Sequence, residues 1–176
     1  MSSTKQGFYS RIKLTPNNFR RMMNWWPPFW VMRVHVMSVS PDWCEASVRM
    51  KLSFRNKNFV GSHFDGGLFS MCDPLYMIML MQILGKDYVV WDKAAAIQFV
   101  ATGRGTVFAH FKLTVGQIAE IRSKTANGEK FAPAYRVNVV DDAGKIIAIA
   151  DKTIYIRKSP RCLRKTRPVS AKMQSC

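Results

Sequence analysis

Gly66-Gly-Leu-Phe-Ser-Met-Cys-Asp73-Pro-Leu-Tyr-Met-Ile-Met-Leu-Met-Gln-Ile-Leu84 contains the longest apolar stretch of the chain, Leu68 to Leu84. Leu68, Met71, Leu75, Met79 and Ile83 recur at helical spacing, and Phe69, Tyr76, Ile78, Leu80 and Met81 fill the remaining faces. A helix that is apolar almost all round has to be wrapped by other elements rather than laid on a surface. Pro74 withholds the amide that would bond back to Ser70, so the spacing predicts a kink or a restarted first turn near Asp73. The interruption by Asp73 and Pro74 argues against a membrane span, which needs roughly 20 clean apolar residues.

Alternating segments on either side supply the wrapping. From Trp43 to Leu52, Cys44, Ala46, Val48, Met50 and Leu52 point one way and Glu45, Ser47, Arg49 and Lys51 the other, as in a half-buried antiparallel strand. Phe29 to Val39 reads as its hairpin partner, turned at Pro41-Asp42. Further strands are expected at about 87–100, 104–113, 134–140 and 146–156, the last two joined by the turn Asp141-Asp142-Ala143-Gly144. Thr15-Pro16 reads as an N-cap and first helical position, opening a short helix through Phe19, Met22 and Met23 that stops before Pro27-Pro28. A second short helix, 116–125, carries Ile118 and Ile121 and stops at Asn127-Gly128. Residues 53–63 read as a loop. The whole predicts an α+β fold in which a curved antiparallel sheet wraps a long central helix.

At 176 residues, with 48% hydrophobic and 22% charged side chains, the chain has the size and composition of one folded domain. The net charge of +16 sits mainly at the ends. Lys5, Arg11, Lys13, Arg20 and Arg21 precede Asn24 without an acid, and seven Lys/Arg from Arg157 to Lys172 follow Ile156 without one, leaving about +4 on the middle. The expected organisation is a basic lead and helix start (1–23), the domain proper (24–156) and a basic tail (157–176) that need not be structured. The tail has no interleaved aromatics, so anchoring to nucleic acid or an anionic membrane ranks behind the readings below. Cys44, Cys72, Cys162 and Cys176 form no C-x-x-C pair and have no His at zinc spacing. The sequence thus calls for no metal and no cofactor, and a reduced cytoplasmic compartment fits, with the acid-free start allowing a mitochondrial one.

The segment Asn58-Phe-Val-Gly61-Ser-His63-Phe64-Asp65-Gly66-Gly67, followed by Asp73, resembles the motif of the small hotdog-fold acyl-CoA thioesterases of the phenylacetate-pathway type. In them N-x-x-G-x-x-H-G-G precedes an acidic residue after six more positions. Asn58, Gly61, Gly66 and Asp73 match, whereas Phe64 stands at the usual His and Asp65 at the usual Gly, with His63 one place early. Asp92 to Ala109 resembles the family's next strand pair. Asn24-Trp-Trp-Pro-Pro28 and Tyr88-Val-Val-Trp-Asp-Lys93 are similar to an uncharacterised branch of the superfamily without the standard His-Gly-Gly.

The resemblance implies a hotdog fold and thioester hydrolysis in a dimer-interface pocket. The amides of Gly66 and Gly67, at a helix start, could hold the charge developing on the thioester oxygen. Asp73 would activate water and Asn58 would position it. Gly61, His63 and Phe64 would line the substrate path, and Arg55, Lys57 and Arg104 would meet the phosphates of coenzyme A. In the resembling enzymes the acid works across a dimer interface, so a partner's strand near 92–97 would complete the site, in a dimer or a dimer of dimers. Read without the resemblance, Asp73-Pro74 is first an N-cap to a restarted helix, Asn58 and Gly61 are turn residues, and His63 and His35 are surface or interface histidines. The methionines at 71, 77, 79 and 81 read as core, or as the lining of an acyl tunnel. The alternative to a hydrolase is a hotdog module that binds acyl-CoA or a similar lipid without cleaving it.

Overall fold

Thr15 starts the first element in the computed structural model, which describes residues 14–159. The lead to residue 13 and the tail from 160, where most of the basic-arm expectations fall, lie outside the described residues. The Thr15 hydroxyl accepts from the Asn18 amide and Pro16 occupies the first turn, so α1 (Pro16–Trp25) begins where its cap and fixed φ dictate. Its inward side chains Phe19 and Met23 are buried, and the Asn24 carboxamide exchanges hydrogen bonds with the backbone of Val36. The packed unit therefore takes in α1, which a boundary at residue 24 divides.

Pro27-Pro28 corrects the first strand. Two prolines preset to helical φ open α2 (Pro27–Met32), which buries Phe29 and ends at Arg33 in the left-handed region, φ 57°. Only then does β1 (Val34–Val39) begin, paired with β2 (Glu45–Lys51). Trp30 and Met32, which alternation had placed on the strand, belong to α2 because a short apolar run satisfies either period. Along β2 Ala46, Val48 and Met50 are buried and Glu45, Arg49 and Lys51 exposed, but Ser47, expected on the outer face, is buried, its hydroxyl 2.6 Å from that of Ser38.

The central helix is two helices. Pro74 ends α3 (Asp65–Cys72) and α4 (Leu75–Leu84) restarts after it, with Asp73 at the C-cap. This 20-residue pair is long and apolar enough to cross a membrane by composition, but Leu68, Met71, Cys72, Leu75, Tyr76, Met79 and Leu80 are buried in the domain's own core. Met71 and Met79 are core; Met77 and Met81 are half-buried.

After β3 (Tyr88–Phe99) and β4 (Thr106–Lys112) comes α5 (Val115–Lys124), started by a capping box between Thr114 and Gln117. A two-residue strand that alternation could not reveal, β5 (Lys130–Phe131), precedes β6 (Ala134–Asp141) and β7 (Ile146–Lys158). All pairings are antiparallel, in the order β1-β2-β4-β6-β7-β3, with β5 beside β7. The sheet's inner side chains, among them Val36, Val48, Ala109, Val137 and Ile154, share one core with the central helices. This is the hotdog arrangement of a sheet wrapped on a central helix.

Asn56 knots the loop before α3 to the rest. Its buried carboxamide donates to the carbonyls of Met32 (2.8 Å) and Lys51 (3.0 Å) and accepts from the Ser53 amide (2.7 Å). Asn56→Ala strands these groups and is expected to cost roughly 2–3 kcal/mol in denaturant unfolding; an unchanged midpoint would mean that the loop is not held there.

Candidate active site

Along β7 the inward positions are Ala148, Ala150, Lys152, Ile154 and Ile156, all buried. A lysine in that phase places an ammonium inside an apolar core, and Lys152 is 1% exposed. Burying an unpaired cation is prohibitive, so carboxylates have to meet it. They come from two other elements. Asp73, at the break between α3 and α4, places Oδ1 at 2.6 Å from Lys152 Nζ; Asp92, on β3, places Oδ1 at 3.0 Å. The first contact is an aligned hydrogen bond. The second is close in distance but lacks that alignment, so it acts as an ion pair. The Phe69 ring closes one side, its centroid 6.0 Å from Nζ.

The two acids differ in their access to water. The Asp73 side chain is 46% exposed and that of Asp92 26%. Burial pushes the Asp92 carboxyl above its ordinary value; the neighbouring Lys152 ammonium opposes that, and the charge of Asp73 reinforces it. A bulge between Asp92 and Ala94 interrupts the β3–β7 register beside the site. Asp73 therefore has one oxygen fixed by a buried cation while its side chain still reaches solvent. That arrangement can present an oriented carboxylate to a water or ligand proton.

Asp73 was legible in the sequence; Lys152 and the cis contribution of Asp92 were missed. The available signal was a lysine in phase with the core positions of an otherwise apolar alternation. Asp92 had been expected from a partner's strand, yet within one chain it already shares Lys152 with Asp73.

The loop residues are placed differently from their expected roles. Asn58 Oδ1 accepts from the amides of Val60 and Ser62, and its amide group donates to Ser62 Oγ and the His63 carbonyl. All four hydrogen-bonding positions of the carboxamide are engaged within its own turn, leaving none to hold a water. Gly61, at φ +83°, supplies the left-handed residue of that turn, with nothing within 4 Å of where a Cβ would stand.

His63 is buried rather than on the surface. Its backbone amide bonds to the Gly103 carbonyl and its Nε2 lies 3.2 Å from the Gly105 carbonyl. Burial holds its pKa below the ordinary value, the Gly105 bond opposing this. His63 thereby joins the start of α3 to the β3–β4 turn, where exposed Arg104 lies, and pairs by an isolated bridge with exposed Lys57. Arg55 turns away and stacks over Trp30.

At the α3 start, the amide of Gly67 already bonds to the Phe64 carbonyl at 2.9 Å, as does that of Leu68 at 3.2 Å. The amides left without a helical partner are those of Asp65 and Gly66. The Phe64 ring, itself exposed, covers this side of the helix start, so a Cβ on Gly66 would have to push that ring aside.

Two comparisons with known proteins agree with this architecture. The family described as a domain of unknown function, DUF4442, matches residues 16–156. The chain belongs to that family. A Pseudomonas aeruginosa protein of unknown function, described as a probable thioesterase, is similar in structure at 16% identity and a TM-score of 0.73, covering 85% of this chain and 99% of its own. A Haemophilus influenzae thioesterase shares 9% identity at a TM-score of 0.62, covering 84% of this chain and 94% of its own. The Escherichia coli PaaI protein of the phenylacetic acid degradation operon shares 18% identity at a TM-score of 0.57, covering 81% of this chain and 92% of its own. Comparison with the curated proteins gives no significant match. At such identities the likeness shows the fold, the thioesterase-like hotdog fold.

Proposed function

We propose that the protein hydrolyses acyl-CoA thioesters with Asp73 as general base. The observation that carries this reading is the Asp73 carboxylate, bound through one oxygen to a buried lysine at 2.6 Å and open to solvent beside it. Its position at the family spacing, on a hotdog fold, supports the thioester class. In the proposed step Asp73 takes a proton from water as the water oxygen attacks the thioester carbon. The carbonyl oxygen becomes an oxyanion, and its collapse breaks the C–S bond; the departing thiolate takes the proton from Asp73. Lys152 is a positioning residue that fixes the carboxylate.

The oxyanion donors in this reading are the amides of Asp65 and Gly66. Along one helix Gly66 and Asp73 are separated by about 10 Å, too far to serve the same carbonyl. A second copy brought up along β3, placing its α3 start opposite this Asp73, would supply the missing half. Strand β3 fits that role as a sheet edge with exposed Trp91, Ala94, Ala95, Ala96 and Phe99. Lys57 and Arg104, gathered near the α3 start by His63, are the candidates for the phosphates of coenzyme A. Asn58 is assigned to shaping the turn.

Ala96→Lys, which charges this edge, is expected to convert a dimer to a monomer in light scattering and to abolish thiol release from acyl-CoA. A monomeric wild type that hydrolyses acyl-CoA would overturn the two-copy site. The Phe64 ring over Gly66 favours a second reading, an acyl-CoA or lipid binder without turnover, in which the ring keeps the amides from a reacting carbonyl.

A further inference from the structure

We infer that a cationic groove on the outer face of the sheet is a binding site for a phosphate-bearing anion of at least two negative charges, separate from the Asp73 centre. The groove has a volume of about 690 Å³ and is lined by Arg33, Arg49, Lys51 and Arg55 together with Trp30 and Phe54, among others, with no Asp or Glu. Because Val48 and Met50 point into the core, Arg49 and Lys51 must point out. The β2–β4 register sets Lys51 beside Thr106, which also lines the groove. Arg33 enters from the end of α2 and Arg55 from the loop that Asn56 ties down.

Among the described residues none of these four cations forms an ion pair, although Lys112, Lys124, Arg136 and Lys152 all do. Four like charges converging without a carboxylate repel one another and concentrate the field that attracts an anion. Two features preorganise them. The Arg55 guanidinium lies 4.8 Å from the Trp30 ring centroid and 5.6 Å from that of Phe54, which fixes a fork that would otherwise sample many rotamers. Arg33 holds φ 57°, a left-handed conformation that the end of α2 imposes and that sets where its side chain leaves the backbone. Arginine forks match the tetrahedral oxygens of a phosphate better than a single carboxylate, and a multiply charged group answers four cations where a monoanion answers one.

The groove is distinct from the Asp73 centre by topology. Lys152 faces inward on β7, whereas Arg49 and Lys51 face outward on β2, three strand steps or about 14 Å away across the sheet. The assignment does not rest on thioester chemistry.

The same phosphate chemistry is offered by a soluble anion and by a lipid headgroup, and two probes separate them. The full chain and its Arg49→Gln/Arg55→Gln variant are titrated calorimetrically with inorganic pyrophosphate and sedimented with phosphatidylcholine vesicles containing phosphatidic acid. Expected is one site per chain for at least one probe, weakened tenfold or more in the variant, with the melting temperature unchanged. Pyrophosphate binding identifies a soluble ligand; vesicle binding alone identifies the headgroup. Saturable binding to neither probe overturns the inference, as does binding that the variant keeps in full, which would place it on the basic residues elsewhere.

Discussion

Asp73→Asn and Asp92→Asn introduced together are expected to destabilise the domain by about 3–5 kcal/mol, the usual cost of stranding a buried charge. Lys152 is 1% exposed and has these two carboxylates as its ion-pair partners. With both neutral, the ammonium keeps its desolvation cost and loses the charges that offset it. Adding Lys152→Met, which keeps an unbranched apolar stem of similar length, removes the stranded charge and should restore most of the loss. Denaturant unfolding of the wild type, the double variant and the triple variant gives the comparison. A double variant as stable as the wild type would show that Lys152 is not held by this pair.

The single Asp92→Asn variant behaves differently, because burial already disfavours that charge. With the folded pKa raised, the folded state binds more protons than the unfolded one. Asp92 therefore takes stability away as pH rises from about 4, the ordinary aspartate value, through its raised value. Replacing it flattens that loss, so unfolding midpoints of wild type and variant should diverge less at low pH than at neutral pH.

How much of this was legible in the sequence depends on whether a residue's partner lies nearby in the chain. The break at Asp73-Pro74 is a local consequence of a missing amide, and the structure places it there. The cap at Thr15, the alternation of β2 apart from Ser47 and the Asp141–Lys145 turn are local in the same way. Pro27-Pro28 misled because the hydrophobic run that follows fits a strand and a single helical turn alike, and it is the exposure of Val31, which a strand would place on the same face as buried Phe29, that distinguishes them. Lys152 stands 79 positions from Asp73 in sequence, and no local pattern links them. The lysine was visible as an exception within a core-facing alternation; its carboxylates were not. His63 shows the same limit from the other side, since its burial depends on the β3–β4 turn 42 positions away. Asn58 sat at a family spacing, but the spacing fixes a position in the chain and not where the carboxamide spends its hydrogen bonds.

Asp73 carries the largest expected effect on activity. If this carboxylate accepts the proton of the attacking water, Asp73→Asn keeps the shape and a hydrogen-bond acceptor for Lys152 but removes the base, which contributes typically about 10²–10⁴-fold. Asp92 remains as a charge partner for Lys152, so this single variant should fold, which a melting curve verifies first. Binding of acyl-CoA should persist, because the base acts on the attacking water and not on the ligand's phosphates. The decisive measurement is thiol release from short, long and aromatic acyl-CoA esters by the wild type and by Asp73→Asn side by side, with affinity measured for both. Expected are hydrolysis of at least one ester by the wild type and a kcat at least a hundredfold lower in the variant at similar affinity. Equal turnover by the two proteins, or no thiol release from any ester by the wild type, would contradict this role of Asp73.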